Sequence, residues 1–237
     1  MNWKEVIMDI YGLTKTTLLD YPGYVASTVF TAGCNFRCPF CHNGDLVLNP
    51  GIYPRLTEDE ILQHLHKRKK VIHGVCITGG EPTLQPDLIN FLKKVRETGL
   101  LIKLDTNGNR PDILNTVIDN CLVDYVAMDI KAGHSNYSMA AGVLVDITNI
   151  EESINILNHS SIDYEFRTTC VKGIHGLNDF EDIATWLPSD SKYFLQGFKA
   201  NEAVIDKACS SFTKAELEGF LAIVKAKIPA TSLRGIE

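Results

Sequence analysis

The sequence predicts an α/β fold built on a parallel sheet, and three observations carry that prediction. Short runs rich in β-branched and aromatic residues alternate with longer amphipathic segments through most of the chain. Strands joined through helices in this way pair in parallel, because parallel neighbours need a long crossover. The predicted strand ends collect Gly, Asp, Thr, Asn and Lys, at the edge where parallel α/β folds place their chemistry.

Residues 25–31 read as the first strand and residues 57–69 as a helix. Thr57 and Glu60 stand at capping-box spacing, and Ile61, Leu62 and Leu65 share one face of that helix. Residues 71–78 supply the second strand. The helix over 86–98 turns Leu88, Phe91, Leu92 and Val95 inward and stops at Gly99. Residues 100–105 form the third strand, 111–120 a helix with Pro111 in its first turn, and 123–130 the fourth strand. After a loop containing Gly and Ser come a helix over 149–159, a strand over 162–171 and a helix over 179–187. The sixth strand spans 193–198 and a last helix 213–227. Periodicity does not say whether such a sheet closes into a barrel.

The chain has 237 residues, with 23 Lys plus Arg against 29 Asp plus Glu, a net charge of −6. An acidic balance argues against a protein that grips nucleic-acid backbone. The one basic run, Lys67-Arg68-Lys69-Lys70, closes a predicted helix, where cations complement the dipole. No apolar run approaches the ~18–20 residues of a membrane span. The N-terminus, Met1-Asn2-Trp3-Lys4-Glu5 continuing into Asp9, lacks the apolar stretch and cleavage site of a signal peptide, so a cytoplasmic location is expected. Seven cysteines, an odd number with three crowded together, are a poor disulfide framework.

Those three lie in Gly33-Cys34-Asn35-Phe36-Arg37-Cys38-Pro39-Phe40-Cys41-His42-Asn43, directly after the first strand. Cys38-Pro39-Phe40-Cys41-His42 matches c-type haem attachment, and its first four residues a dithiol redox pair. The first leaves Cys34 idle, and the second belongs to a thioredoxin-like fold with far fewer βα units. A zinc site wants a fourth tetrahedral ligand, and adjacent Cys41 and His42 are awkward as joint ligands. A 4Fe–4S cluster uses all three thiolates and leaves one iron open for a substrate to chelate. Cys76, Cys121, Cys170 and Cys209 are scattered, so a second cluster is not expected.

Other strand ends add to this. Strand two ends in Thr78-Gly79-Gly80-Glu81-Pro82, where glycines permit positive φ and a close approach to backbone. Strand three ends in Asp105-Thr106-Asn107-Gly108, which is also ordinary turn chemistry. On strand four, Asp129 and Lys131 share a side by period two and could pair across a polar cofactor. Arg167, on strand five, suits a carboxylate or a ribose, and equally a surface ion pair.

The Cys-x-x-x-Cys-x-x-Cys spacing resembles the signature of the radical S-adenosylmethionine (radical SAM) superfamily, and Gly79-Gly80-Glu81-Pro82 its GGEP motif. Cys41-His42-Asn43, Asp105-Thr106-Asn107-Gly108 and Met128-Asp129-Ile130-Lys131 together look like the glycyl-radical-enzyme activating proteins. Leu19-Asp20-Tyr21-Pro22-Gly23 and Tyr164-Glu165-Phe166-Arg167-Thr168-Thr169 look most like the activators of anaerobic ribonucleoside-triphosphate reductase.

That resemblance implies an incomplete (β/α)6 barrel with outer helices, in one domain over 1–237, with 1–24 an N-terminal extension and 25–230 the partial barrel. It implies that Cys34, Cys38 and Cys41 ligate a 4Fe–4S cluster, whose reduction cleaves SAM to methionine and a 5′-deoxyadenosyl radical. Phe40 and His42 would flank adenine and cluster, Gly79 and Gly80 would meet the methionyl amine, and Asp129 and Lys131 would lie beside ribose and carboxylate. Glu81, Asp105, Asn107 and Arg167 complete the expected cofactor set. Asp105, Thr106 and the carbonyl of Ala127 match a monovalent-cation site of pyruvate formate-lyase activators. Gln196-Gly197-Phe198-Lys199 departs from the Pro-Phe-His those activators carry on strand six.

No side-chain general acid or base is expected, because the cofactors carry the chemistry. The implied partners are a glycyl-radical enzyme, anaerobic ribonucleotide reductase foremost, and a reductant such as flavodoxin or ferredoxin. The loop over 132–145 is a candidate lid. Three alternatives stay open: a radical SAM catalyst acting on a small molecule, such as a 7-deazaguanine-type synthase; an activator of pyruvate formate-lyase; and an iron–sulfur electron carrier.

Overall fold

The computed structural model describes residues 8–236, so the expectation about the first five residues lies outside it. The chain divides into two compact units. The first comprises residues 8–35, 45–106 and 112–126; the second comprises 36–44, 107–111 and 127–236.

The first unit opens with β1 (Ile10–Thr17), antiparallel to β2 (Ala26–Thr31) with Leu13 opposite Val29. β1 lies in the expected N-terminal extension over 1–24, for which the sequence predicts no element. The run hides its nature because only Ile10 is buried, and an edge strand facing water shows no clean alternation. The short helix α1 (Gly44–Leu48) and the long α2 (Glu58–Arg68) come next. The Thr57 hydroxyl accepts from the Glu60 N–H at 3.2 Å, and the Glu60 carboxylate accepts from the Thr57 N–H at 2.7 Å, the predicted capping box.

Then come β3 (Gly74–Gly79), α3 (Leu88–Arg96), β4 (Leu101–Thr106) and α4 (Pro111–Asp119). β2, β3 and β4 pair in parallel and in sequence order. Their register divides the sheet face by face. Val29, Ile77 and Leu104 align on one face and are fully buried, as are Leu88, Phe91, Leu92 and Val95 of α3. Each such side chain contributes about 1.5–3 kcal/mol by leaving water. Thr28, Cys76 and Lys103 align on the other face, equally buried but polar.

β5 (Tyr125–Asp129) carries the chain into the second unit. There α5 (Tyr137–Ala141), α6 (Ile147–His159), β6 (Asp163–Lys172), α7 (Leu177–Trp186), β7 (Tyr193–Gly197), β8 (Ser210–Ser211), α8 (Lys214–Lys225) and β9 (Ser232–Arg234) succeed one another. β6 and β7 are parallel, with Phe166 opposite Tyr193, and β9 adds to β7 in parallel beyond the expected end of the barrel. β9 was invisible in the sequence because three residues carry no period. Its Arg234 reaches back to grip both oxygens of Glu165, at 2.8 and 3.0 Å, and lies 3.6 Å over the Phe194 ring.

The candidate lid is largely built structure. It contains α5, buries Ala132, Tyr137, Ala140 and Ala141, and is tied down by Gly133 N–H to Asp179 at 3.1 Å and Asn136 to the Ile174 carbonyl at 2.7 Å. Only Met139 and Leu144 stand well exposed there among the large apolar side chains. No helix among the described residues is long and apolar enough to cross a membrane.

Candidate cofactor site

In the first unit the two motif loops are latched to each other by backbone. At the end of β2 the chain turns at Gly33, φ 79°, toward Cys34. Gly80 N–H donates to the Thr31 carbonyl and Glu81 N–H to the Gly33 carbonyl, both at 2.8 Å. A Cβ on Gly79 would stand 2.3 Å from the Thr31 oxygen, and one on Gly80 would stand 1.9 Å from the Gly33 oxygen. The glycines are therefore demanded by the protein's own loop, which is a different reason from the ligand approach read in the sequence. This contact fixes where Cys34 leaves the sheet.

Glu81 is buried, 1% exposed, and works inside the fold. It caps the turn after β3, accepting from the Thr83 N–H at 3.0 Å and hydroxyl at 2.5 Å, and it accepts from the Thr106 hydroxyl at 2.8 Å. The ends of β3 and β4 are thus tied through one carboxylate. Asp105, the residue before Thr106, accepts from the Thr78 hydroxyl at 3.1 Å and is ion-paired with Lys103, whose side chain is 2% exposed. The Lys103 ammonium also lies 3.7 Å from the Cys76 sulfur. Lys103 was missed in the sequence, although a lysine two residues before Asp105 shares its side of a strand.

The second unit holds the rest of the cysteine run. Cys38–Cys41 is a turn closed by Cys41 N–H to the Cys38 carbonyl at 3.0 Å. It is pinned by Arg37 N–H to the Ala141 carbonyl and by Asp206 N–H to the Pro39 carbonyl, each at 2.8 Å. Phe40 is buried with its ring edge-on to His175 at 5.9 Å. His42 stacks on Phe198 at 5.2 Å, and its Nε2–H donates to the Lys199 carbonyl at 2.8 Å. Residues 198–199, which depart from the activator pattern, therefore hold the His42 ring. Asn107 is buried and folds back to accept from the Asn109 N–H at 3.0 Å.

At the β5 end Asp129 stands between two cations, Lys131 at 3.0 Å and Arg167 at 2.8 Å. Asp129 and Lys131 bond each other directly, so the predicted shared side is real and already joined. Burial works against the Lys131 charge, but Asp129 and then Cys38 outweigh it and hold the ammonium above the ordinary lysine range. Burial pushes the Cys38 thiol up to about 11, with Lys131 pulling the other way, and raises Cys41 as well. Neither would be a thiolate at neutral pH without a cation to hold it.

His175, also missed in the sequence, lies under this group. Its Nδ1 accepts from the Val171 N–H at 2.9 Å, so its Nε2–H donates to the Lys131 carbonyl at 2.7 Å. Among the described residues, no three His, Cys, Asp or Glu side chains gather around one point to hold a single metal ion. None of the seven cysteines is in a disulfide, and thiolate is the donor chemistry that an iron–sulfur cluster takes.

Residues 28–187 match the family model described as the radical SAM superfamily. The chain belongs to the radical SAM superfamily. A Methanocaldococcus jannaschii protein provisionally named a glycyl-radical enzyme activating enzyme is 32% identical over 200 residues, covering 82% of this chain and 81% of that one. The pyruvate formate-lyase-activating enzyme of Clostridium pasteurianum is 36% identical over 131 residues, 52% of each chain. Among solved structures, Streptococcus suis SuiB bound to S-adenosylmethionine superposes with a TM-score of 0.64 at 15% identity, over 86% of this chain and 48% of that one. The expected radical SAM fold, with parallel strands and surrounding helices, is thereby established. The superfamily implies a 4Fe–4S cluster and SAM as cofactors of this enzyme. An aspartate flanked by an ammonium and a guanidinium offers acceptors for ribose hydroxyls and donors for a carboxylate.

Proposed function

We propose that this radical SAM enzyme cleaves S-adenosylmethionine reductively and places a glycyl radical on a partner enzyme, an anaerobic ribonucleoside-triphosphate reductase. The observation that carries the reading is the identity shared over four-fifths of both chains with the M. jannaschii protein provisionally named an activating enzyme. The choice of partner rests on the resemblance of Leu19–Gly23 and Tyr164–Thr169 to reductase activators.

Cys34, Cys38 and Cys41 would hold the cluster through three thiolates. When bound, the cluster supplies the electron that breaks the sulfonium of SAM. The chain's own residues bind, orient and exclude water. Asp129, Lys131 and Arg167 form a preorganised polar group for ribose and carboxylate, since each is already bonded to a neighbour at 2.8–3.0 Å. Gly79 and Gly80 would offer backbone to the methionyl amine. Phe40 and His42, each fixed by a ring neighbour, would wall the adenine and cluster. No side chain has to take a proton. A flavodoxin or ferredoxin would supply electrons, in the cytoplasm.

The test is anaerobic reconstitution with iron and sulfide, reduction, and assay of 5′-deoxyadenosine after adding SAM. Formation by the wild type and its loss in Cys34→Ala, Cys38→Ala and Cys41→Ala is the expected result. A fully loaded, reducible cluster that leaves SAM intact, with and without partner, overturns the reading. A glycyl-radical EPR signal on the reductase, and none on pyruvate formate-lyase, decides the partner.

A further inference from the structure

We propose that the Lys103 ammonium is a built-in cation on Asp105, so that this chain takes no exchangeable monovalent ion at Asp105 and Thr106. Similarity to pyruvate formate-lyase activators leads one to expect such an ion, and the first unit's side chains do not fit it. Lys103 stands opposite Cys76 in the β3–β4 register, two residues before Asp105 on the same side of the strand. Its side chain is 2% exposed and ion-paired with Asp105 Oδ1, while the Thr78 hydroxyl donates to Oδ2 at 3.1 Å. Both carboxylate oxygens thus already accept from the protein. The Thr106 hydroxyl is turned to Glu81, donating at 2.8 Å.

A sodium or potassium ion needs lone pairs free of a competing cation, because hard ions bind through oxygen donors alone. A second positive charge beside Asp105 would face the Lys103 ammonium where solvent screening is weak. An ammonium group carries the charge of a potassium ion and is close to it in size. Held by its own side chain, it cannot dissociate. The fold also requires it. A buried lysine needs a counter-charge and a buried carboxylate needs donors, and each here meets the other's need.

The proposal goes beyond the radical SAM reading, and its test uses neither cluster nor SAM, so either can fail alone. Thermal unfolding is measured in potassium chloride and in choline chloride at equal ionic strength, and thallium(I), a potassium mimic, is titrated by NMR. Wild type should melt at the same temperature in both salts and show no thallium binding that potassium displaces. Lys103→Met should acquire both responses, with Tm about 3 °C or more higher in potassium. Thallium binding by wild type that potassium displaces and Asp105→Asn abolishes overturns the proposal. So does a folded Lys103→Met that ignores potassium. A Lys103→Met that folds only in potassium supports it. If that variant folds in neither salt, the wild-type thallium titration decides alone.

Discussion

His175 donates its Nε2–H to the Lys131 carbonyl at 2.7 Å, while its Nδ1 accepts from the Val171 N–H at 2.9 Å. Both ring nitrogens are spent on backbone, which fixes one neutral tautomer and anchors the strand end that presents Lys131. Burial holds the ring's pKa below the ordinary 6.5, and the carbonyl and Asp179 oppose this without cancelling it. Above pH 6.5 folded and unfolded chains both hold the ring neutral. Below it the unfolded chain gains a proton that the folded chain refuses, so stability falls as pH drops. Urea midpoints at pH 7.5 and 5.5 should show that loss, and His175→Gln should reduce it. His64, also lowered by burial, accounts for part of what remains. An unchanged slope in His175→Gln would contradict the assignment.

Arg234 and Glu165 pair through two bonds, although 69 residues separate them. The carboxylate is 1% exposed, whereas the Arg234 side chain is 35% exposed. Removing the arginine therefore costs more than its own contacts, because it strands a buried charge. Arg234→Met should lose about 3 kcal/mol by denaturant titration, and adding Glu165→Gln to it should recover part of that loss. A double variant whose loss equals the sum of the losses of Arg234→Met and Glu165→Gln would show the pair to be uncoupled.

Two glycines should respond in opposite directions. A Cβ at position 80 meets the Gly33 carbonyl oxygen at 1.9 Å, and neither backbone can yield without breaking the latch between the two loops. Gly80→Ala should destabilise by about 3 kcal/mol or prevent folding. Gly219 sits inside α8 with nothing near the added Cβ. Gly219→Ala should stabilise by about 0.5–1 kcal/mol. A thermal melt of each variant checks both signs.

Asp129 positions two cations at once. Asp129→Asn keeps the shape and removes the charge that binds Lys131 and Arg167. Affinity for SAM, read by equilibrium dialysis on the loaded protein, should fall by about tenfold or more, while iron content stays at the wild-type level. Undiminished affinity would remove Asp129 from the ligand group. A loss of iron in step with affinity would make its role structural.

How much of the molecule is legible in its sequence depends on the range of each signal. The four buried residues of α3, the capping box of α2 and the order of strands β2 to β7 are local patterns, and each stands in the structure within a few residues of its predicted place. The cysteine spacing and the polar strand ends are local too. β1 and β9 escaped because an exposed edge and a three-residue strand have no period to detect. Glu81 was legible as a motif residue, yet its bonds to Thr83 and Thr106 were not.

The sequence by itself determined the order of strands β2 to β7, the inward helix faces and the chemical types available to the site, since these depend on neighbours a few residues apart. Only the tertiary structure decided which of those groups meet. His175 finds Lys131 across 44 residues, and Arg234 finds Glu165 across 69. Lys103 and Asp105 are two residues apart, but nothing in that spacing says the lysine will be buried. Burial is what turns an ordinary surface pair into a fixed charge, and burial is a property of the packed sheet.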